Sequence, residues 1–297
     1  MSLRSQNTSW VMFLPATKPN DLHRHVMDLV YGVYCLEQAG IRPQDIHIYI
    51  DSCGQNVDNS FLDASTYPYK SKPTAQFFTD LQQNAAENLV MFVTGHGGLF
   101  GLDAHPTITP SQLISSLKAT PTLQTAVLYL GQCFAGTFNY VNAGKEKGEN
   151  LEIILAGATN LQQSLSMSTS QQFLTQRLPW LANVFLLNVF NWFLRPRDID
   201  GDGTLTIMDS YKFAGIAANH MNKNGKNGGF VEIMDMLHEY REARALADKD
   251  TGDSKQNMKN QVESEAKYKQ CIDQLGLHHT HQECWILNSR PAQKLEF

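Results

Sequence analysis

Residues 89–98 read LVMFVTGHGG and residues 126–136 read AVLYLGQCFAG, and these two stretches decide the fold. Each begins as a short, almost wholly apolar run, which is typical of a strand buried on both faces of a parallel sheet. Each then enters a glycine-containing loop with one reactive side chain, His96 in the first and Cys133 in the second. Similar runs predict three further strands, at residues 10–14, 46–50 and 151–156.

Helical patterns separate these predicted strands. Apolar residues recur at three- and four-residue steps over residues 21–39, and further helices are predicted over residues 74–84 and from Pro110 onward, with Thr109 as the N-cap. Strands that alternate with helices predict an α/β fold in three layers, with helices on both faces of a mostly parallel central sheet.

The last third of the chain has a different pattern. Residues 178–194 predict an apolar helix, and helical patterns follow over residues 207–218 and 230–247. Residues 248–270 are strongly polar and predict either a solvated helix or a mobile linker. We therefore expect a core over residues 1–195 and, over residues 196–297, a helical C-terminal extension that packs on that core.

Composition and charge exclude several classes of protein. The 297 residues are 42% hydrophobic and carry a formal net charge of −5, which excludes an intrinsically disordered chain. Because no basic surplus exists to attract a polyanion, nucleic acid is not expected as a partner. No apolar run reaches the roughly 18 residues of a membrane span. No signal peptide is visible, so we expect a soluble protein, exported only if a native signal peptide is missing from this sequence.

His96 and Cys133 are the candidate reactive pair. If their strands are neighbours, both side chains emerge side by side at the strand ends. A thiol needs a nearby base or cation to become a thiolate at neutral pH, and an imidazole supplies it. The N–H of Gly97, together with that of Cys133, could stabilise an oxyanion. We also expect Cys133 to open a helix, whose N-terminus favours a thiolate. The competing interpretation is that Cys133 is an inert core residue.

Together these motifs resemble the caspase–legumain–gingipain group of cysteine peptidases, in which one apolar strand ends in His-Gly and a later strand leads to the catalytic Cys. Residues 131–133 read GQC instead of the QAC of caspases, and the legumain family is the nearer resemblance. Legumain-like chains open their first helix with Arg-His-x-x-Asp and enter the second strand through Gly-Ile-x-x-x-x-Ile. Residues 24–28 (RHVMD) and 40–46 (GIRPQDI) fit these two patterns, so the resemblance covers roughly residues 9–170.

The resemblance implies a cysteine endopeptidase that forms an acyl-enzyme, acts on a peptide or protein and needs no cofactor for the chemistry. Cys133 would be the nucleophile, His96 the general base or acid, and Gly97 part of the oxyanion hole. The pocket for the residue before the scissile bond would be lined by Arg24, His25, Gly131 and Ser164. Legumains carry an acidic residue at the position of Gly131, so the pocket here is more positive and we expect cleavage after Asp or Asn.

Residues 198–209 read DIDGDGTLTIMD and match an EF-hand calcium loop. Carboxylates at alternate positions can converge on a hard cation, and Gly203 permits the sharp turn between them. The predicted ligands are Asp198, Asp200, Asp202, the Thr204 carbonyl and Asp209, with Asp at the end where the motif usually has Glu. We expect a structural or regulatory calcium ion here.

Two other functions remain open on the same residues. An amine that resolves the acyl-enzyme would make the protein a transpeptidase. Without catalysis, the chain would be a silent caspase-like protein that binds calcium and a partner. The sequence predicts neither the oligomeric state nor the compartment.

The C-terminal region adds a further open choice. Cys271 and Cys284 flank three histidines, His278, His279 and His281. This set predicts either a zinc site or a Cys271–Cys284 disulfide.

Overall fold

The computed structural model describes residues 2–145, 148–279 and 283–297. The strands are β1 (Thr8–Leu14), β2 (Ile46–Ile50), β3 (Ser71–Lys72), β4 (Asn88–Val93), β5 (Gly97–Gly98), β6 (Gly101–Leu102), β7 (Thr125–Leu130), β8 (Glu152–Gly157), β9 (Ser166–Gln172), β10 (Arg177–Asn183) and β11 (Trp285–Leu287). The α-helices are α1 (Leu22–Gln38), α2 (Thr74–Gln82), α3 (Pro110–Lys118), α4 (Val184–Leu194), α5 (Ile207–Ala247), α6 (Ser254–His279) and α7 (Ser289–Ala292). Short 3-10 helices span Pro43–Asp45, Asp58–Asp63 and Ala135–Tyr140.

A seven-stranded sheet forms the centre of the molecule, in the order β11-β8-β7-β4-β1-β2-β3. Its strands pair in parallel except β11, which is antiparallel to β8. The predicted α/β class with a mostly parallel central sheet is therefore confirmed. The chain builds outward from β1 through β2 and β3 on one side, and from β4 through β7 and β8 on the other. The strand order thus reverses between β1 and β4.

Helices cover both faces of this sheet, consistent with a three-layer sandwich. On one face, Phe77 of α2 and Leu113 of α3 join Phe13 of β1 in an apolar cluster. On the other face, Phe92 of β4 contacts Phe190 of α4 with ring centroids 4.8 Å apart. Helix α1 crosses α4 at Gly32, where an added Cβ would lie 2.5 Å from the Phe190 ring. Glycine at this position therefore lets the two helices approach closely.

The region before α4 differs from the sequence-based expectation. Residues 178–183 were expected in a helix but belong to β10, which pairs antiparallel with β9. Pro179 cannot donate a backbone hydrogen bond and is tolerated in such an edge strand. The helix begins only after Asn183, whose side-chain oxygen accepts a hydrogen bond from the Leu186 N–H at 2.9 Å. Asn is among the preferred N-cap residues, so this cap fixes where the helix starts.

The chain divides into two compact units, Met1–Ala218 with Gln282–Phe297, and Asn219–His281. The first unit includes the predicted calcium loop, because Ile207 N–H donates to the Leu295 carbonyl at 2.9 Å and Tyr129 is hydrogen-bonded to Ser210. The predicted boundary at residue 195 therefore lies inside this unit.

The second unit is a pair of helical segments from α5 and α6. Tyr240 and Tyr268 contact each other across the pair with ring centroids 5.4 Å apart. Residues 248–270 were expected to form either a solvated helix or a mobile linker. The structure agrees with the helix, because α6 begins at Ser254. The packing of the C-terminal extension on the core stays a prediction. Among the helices of the described residues, none has the length and apolar character needed to cross a bilayer.

Candidate active site

The strand ends that lead to His96 and Cys133 are neighbours in the sheet. β4 and β7 pair in parallel with Val93 opposite Leu130, so each reactive residue is the third beyond this paired position. The Gly131 N–H donates to the Val93 carbonyl at 2.8 Å and continues the pairing one step further. Both loops therefore leave the carboxyl edge of the sheet close to the reversal of strand order, where open α/β sheets form ligand sites.

Cys133 is partly buried at this edge, and its Sγ accepts a hydrogen bond from the Ser164 backbone N–H at 3.3 Å. This contact holds the sulfur against the loop that follows β8. The α-helix expected to open at Cys133 is absent: Phe134 has a φ of 56° and a six-residue 3-10 helix begins at Ala135. So short a segment aligns few peptide dipoles, and the helix-terminus argument for a thiolate does not apply.

Gly97 brings the two loops into backbone contact. A Cβ added to Gly97 would lie 2.4 Å from the Cys133 carbonyl oxygen and 2.7 Å from the Gln132 side chain. A Cβ on the neighbouring Gly98 would meet nothing within 4 Å. Only glycine fits at residue 97, and the structure thereby brings together the backbones of the two residues predicted to form the oxyanion hole.

His96 has an exposed side chain whose electrostatic surroundings disfavour its charged form. Its pKa is lowered from the ordinary value of 6.5, first by desolvation and then by electrostatic interactions with His25 and Arg24. Asp103 and Asp21 oppose this shift. The imidazole is therefore neutral at pH 7 and able to accept a proton.

His25, predicted to line the substrate pocket, is buried at 5% exposure. Its ring packs edge-on against His96, with centroids 5.2 Å apart and an interplanar angle of 81°. Its Nδ1 lies 3.1 Å from Thr94 Oγ1, and Thr94 donates to Asp28 Oδ2 at 2.9 Å. Asp28 and Thr94 are site residues that sequence reasoning missed. A carboxylate at residue 28, on the apolar face of α1, was the signal that could have identified the first of them.

Two of the three remaining predicted pocket residues, Gly131 and Ser164, are linked through Asn183. Its Nδ2 donates to the Gly131 carbonyl at 2.6 Å and to Ser164 Oγ at 3.0 Å. Arg24 is half-buried, and its Nη1 donates to Ser166 Oγ at 3.0 Å. The structure therefore joins Gly131 to Ser164 through Asn183 and places Arg24 beside the start of β9. Sequence reasoning missed Asn183 and Ser166, since β9 and β10 were not predicted.

The Asp-rich loop brings together three of its five predicted ligands. Carboxylate oxygens of Asp198, Asp200 and Asp202 lie within 4.8 Å of one another. Asp198 accepts from the N–H groups of Gly201 at 2.6 Å and Gly203 at 2.8 Å, which curls the loop around it. Three exposed carboxylates fit the preference of calcium for oxygen ligands.

The other two predicted ligands have different surroundings. Asp209 is fully buried and accepts from Ile199 N–H at 2.8 Å and from Thr206 N–H at 2.9 Å, so its carboxylate ties the two ends of the loop together. It is not part of the carboxylate cluster. Thr204 donates from both its N–H and its hydroxyl to Asp202 Oδ1. The sequence pattern therefore identified the loop but not the structural role of its last residue.

The C-terminal alternatives are only partly described. All five cysteines are free thiols, so the Cys271–Cys284 disulfide is not formed. The side chains of His278, His279 and His281, required for the alternative zinc site, lie outside the described residues.

No protein-family model matches this chain, and no curated protein matches it significantly. The functional assignment therefore depends on the site itself.

Proposed function

We propose that the chain is a cysteine endopeptidase, similar to the legumain family, that cleaves after Asp or Asn. Cys133 is the nucleophile and His96 its base. The observation that carries this proposal is the parallel pairing of β4 with β7, with Val93 opposite Leu130, which directs a thiol and a neutral imidazole to the same sheet edge. The backbone contact between Gly97 and Cys133 supports it further.

In the proposed reaction, His96 takes the thiol proton while Cys133 Sγ attacks the scissile carbonyl carbon. Negative charge develops on the carbonyl oxygen, where the N–H groups of Gly97 and Cys133 would stabilise it. The C–N bond then breaks, His96 returns the proton to the leaving amine, and a thioester acyl-enzyme remains. A water molecule, deprotonated by His96, hydrolyses the thioester and regenerates the thiol.

Arg24 is the residue proposed to select an acidic substrate residue before the scissile bond. A guanidinium has five N–H donors and can bind a carboxylate through two parallel hydrogen bonds. The bond to Ser166 uses one of these donors and fixes the direction of the side chain. Asn183 binds Gly131 and Ser164, the two other residues of the proposed pocket that lie outside α1.

The test is cleavage of fluorogenic peptides that end in Asp, Asn, Lys or Arg. We expect the Asp peptide to be cleaved fastest, with activity reduced to background in Cys133→Ala and His96→Ala. Cys53→Ala is the matched control, because Cys53 is an exposed thiol in the loop after β2, well before Cys133 in the sequence. Full activity of Cys133→Ala would refute the dyad, and fastest cleavage of a Lys or Arg peptide would refute the pocket.

The same experiment separates the two alternatives. Ligated product in the presence of a peptide amine, detected by mass spectrometry, would identify a transpeptidase. A silent interaction protein would neither cleave nor react covalently at Cys133 with an acyloxymethyl ketone peptide. Labelling of Cys133 that is lost in His96→Ala excludes the silent form.

A second proposal concerns calcium, which we infer binds at Asp198, Asp200 and Asp202. The approach of three carboxylates to within 4.8 Å favours it, because a divalent cation would offset their mutual repulsion. Calorimetric titration of the chelator-treated protein should show calcium uptake that Asp200→Ala removes. Asp250→Ala is the control, since Asp250 is an acidic residue that shapes a turn before α6. Absence of heat from the wild-type protein would overturn the assignment.

A further inference from the structure

A series of hydrogen-bonded, buried polar side chains connects α1 to the sheet edge that carries His96. Thr94 Oγ1 donates to Asp28 Oδ2 at 2.9 Å and lies 3.1 Å from His25 Nδ1. The three residues are 0%, 2% and 5% exposed respectively. Buried polar groups are costly unless they are hydrogen-bonded, so this arrangement is strongly constrained.

The hydrogen count of this series places a hydrogen on Nδ1 of His25. A threonine hydroxyl carries one hydrogen, and a carboxylate can only accept. Because the Thr94 hydrogen is donated to Asp28, its oxygen must accept from Nδ1–H of His25. Nδ1 of His25 therefore carries a hydrogen, and the buried Nε2 atom has no hydrogen-bond partner among the described residues.

Asp28, at the other end of this hydrogen-bonded series, is anchored to β10. Asp28 Oδ1 accepts from Trp180 Nε1 at 2.9 Å and from the Asn183 backbone N–H at 3.1 Å. These donors hold the carboxylate against rotation, so the carboxylate can in turn hold Thr94 and His25. The His25 ring is thereby fixed edge-on against His96 at a centroid distance of 5.2 Å.

We propose that His25 is a positioning residue for His96, held in place by Asp28 through Thr94; this rests on the peptidase function proposed above. The side-chain torsion χ2 of a histidine is broad and intrinsically permits many ring orientations. His96 is exposed, and the His25 ring packed against it restricts the orientations that its own ring can take. This role differs from the pocket-lining role predicted for His25, and it makes a different kinetic prediction.

The variant Thr94→Val tests this hydrogen-bonded series. Valine has nearly the same side-chain shape as threonine but can form neither the bond to Asp28 nor the bond to His25. We expect kcat to fall about tenfold with KM within twofold of wild type, because orientation of the base is lost while the substrate contacts remain. The rate of Cys133 alkylation by iodoacetamide, followed from pH 5 to pH 9, should also change its pH profile. Thr94→Ser retains the hydroxyl and should restore both properties.

Thr159→Val is the matched control. Thr159 is fully buried in the loop that follows β8, and its hydroxyl has no partner among the described residues. This variant should leave kcat and the alkylation profile unchanged. His25→Gln, which retains an N–H donor but loses the ring, should show the same kcat loss as Thr94→Val and serves if the valine variant fails to fold.

Two results would overturn the positioning role: wild-type kcat and alkylation in folded Thr94→Val and His25→Gln, or a rise in KM alone. Failure of the peptidase proposal gives a different result, because either the wild-type protein would not cleave or Cys133→Ala would retain activity. The alkylation profile needs no substrate, so it tests the contact between His25 and His96 independently of cleavage.

Discussion

The strand-edge site and the Asp-rich loop differ in how far along the chain their contacts reach. At the strand edge, Trp180 binds Asp28 across 152 positions and Asn183 binds Gly131 across 52. In the loop, Asp198 binds Gly201 three positions away, and Lys212 binds Asp200 twelve positions away. The site therefore depends on the whole first unit being folded, whereas the loop is largely shaped by its own sequence. Substitutions in the two regions should accordingly differ in their effect on stability.

The largest effect is expected at Asp28. Asp28→Ala leaves the Trp180 N–H, the Asn183 N–H and the Thr94 hydroxyl without their buried acceptor, and each unsatisfied group costs about 1–3 kcal/mol. We expect the free energy of unfolding to fall by at least about 3 kcal/mol in urea denaturation. Asp45→Ala, which removes the ion pair with the exposed Arg42, should cost less than about 1 kcal/mol. Equal losses in the two variants would show that the buried hydrogen bonds of Asp28 contribute no more than an exposed ion pair.

Asn183 comes next because it caps α4 and braces two loops at once. Asn183→Ala should lower stability by about 2 kcal/mol, since the cap and the bonds to Gly131 and Ser164 are all lost. Asn183→Ser retains a capping oxygen but is too short to brace the loops. It should recover part of the stability in thermal melts while peptidase activity stays low. Recovery of both properties together would show that the cap alone matters.

A comparable loss of stability, together with a large loss of activity, is expected at Gly97. Gly97→Ala forces a methyl group against the Cys133 carbonyl oxygen, which belongs to the backbone and cannot move freely. We expect destabilisation of about 1–3 kcal/mol and loss of most peptide cleavage. Gly98→Ala adds the same methyl group where nothing lies within 4 Å, and should preserve cleavage. A similar effect of both variants would mean that the contact between the loops is unimportant.

The separation in sequence between contacting residues also explains which features could be predicted from the sequence alone. The apolar runs at residues 89–94 and 126–130 identify strands because burial on both faces leaves a local signature. Their adjacency brings His96 and Cys133 to one edge. The partners of Asp28 were not predictable, because Trp180 lies on a strand whose sequence resembles the start of an apolar helix. Asp209 shows the opposite limit: a local motif located the loop, but it did not reveal that this buried carboxylate accepts hydrogen bonds from both ends of the loop.

The pH dependence of the site follows from the lowered pKa of His96. In the unfolded chain this histidine has its ordinary pKa near 6.5, so above that pH both states are neutral and no contribution to stability arises. As pH falls below 6.5, the unfolded state binds the proton more readily and stability decreases. NMR titration of Cys133→Ala should give a His96 midpoint below that of the urea-unfolded chain. A midpoint at or above the unfolded value would reverse the sign of the effect.

The smallest effect on stability is expected in the Asp-rich loop without calcium. Asp200 and Lys212 are both partly exposed, and such pairs contribute less than about 1 kcal/mol, so Asp200→Asn should hardly change the melting temperature in the presence of a chelator. With free calcium at one hundred times its dissociation constant, the wild-type protein should gain about 2.7 kcal/mol that the variant lacks. Because the loop contacts are local, chelation should leave peptide cleavage within about twofold. A large loss of cleavage on chelation would instead show that the cation controls the strand-edge site and that the two regions are coupled.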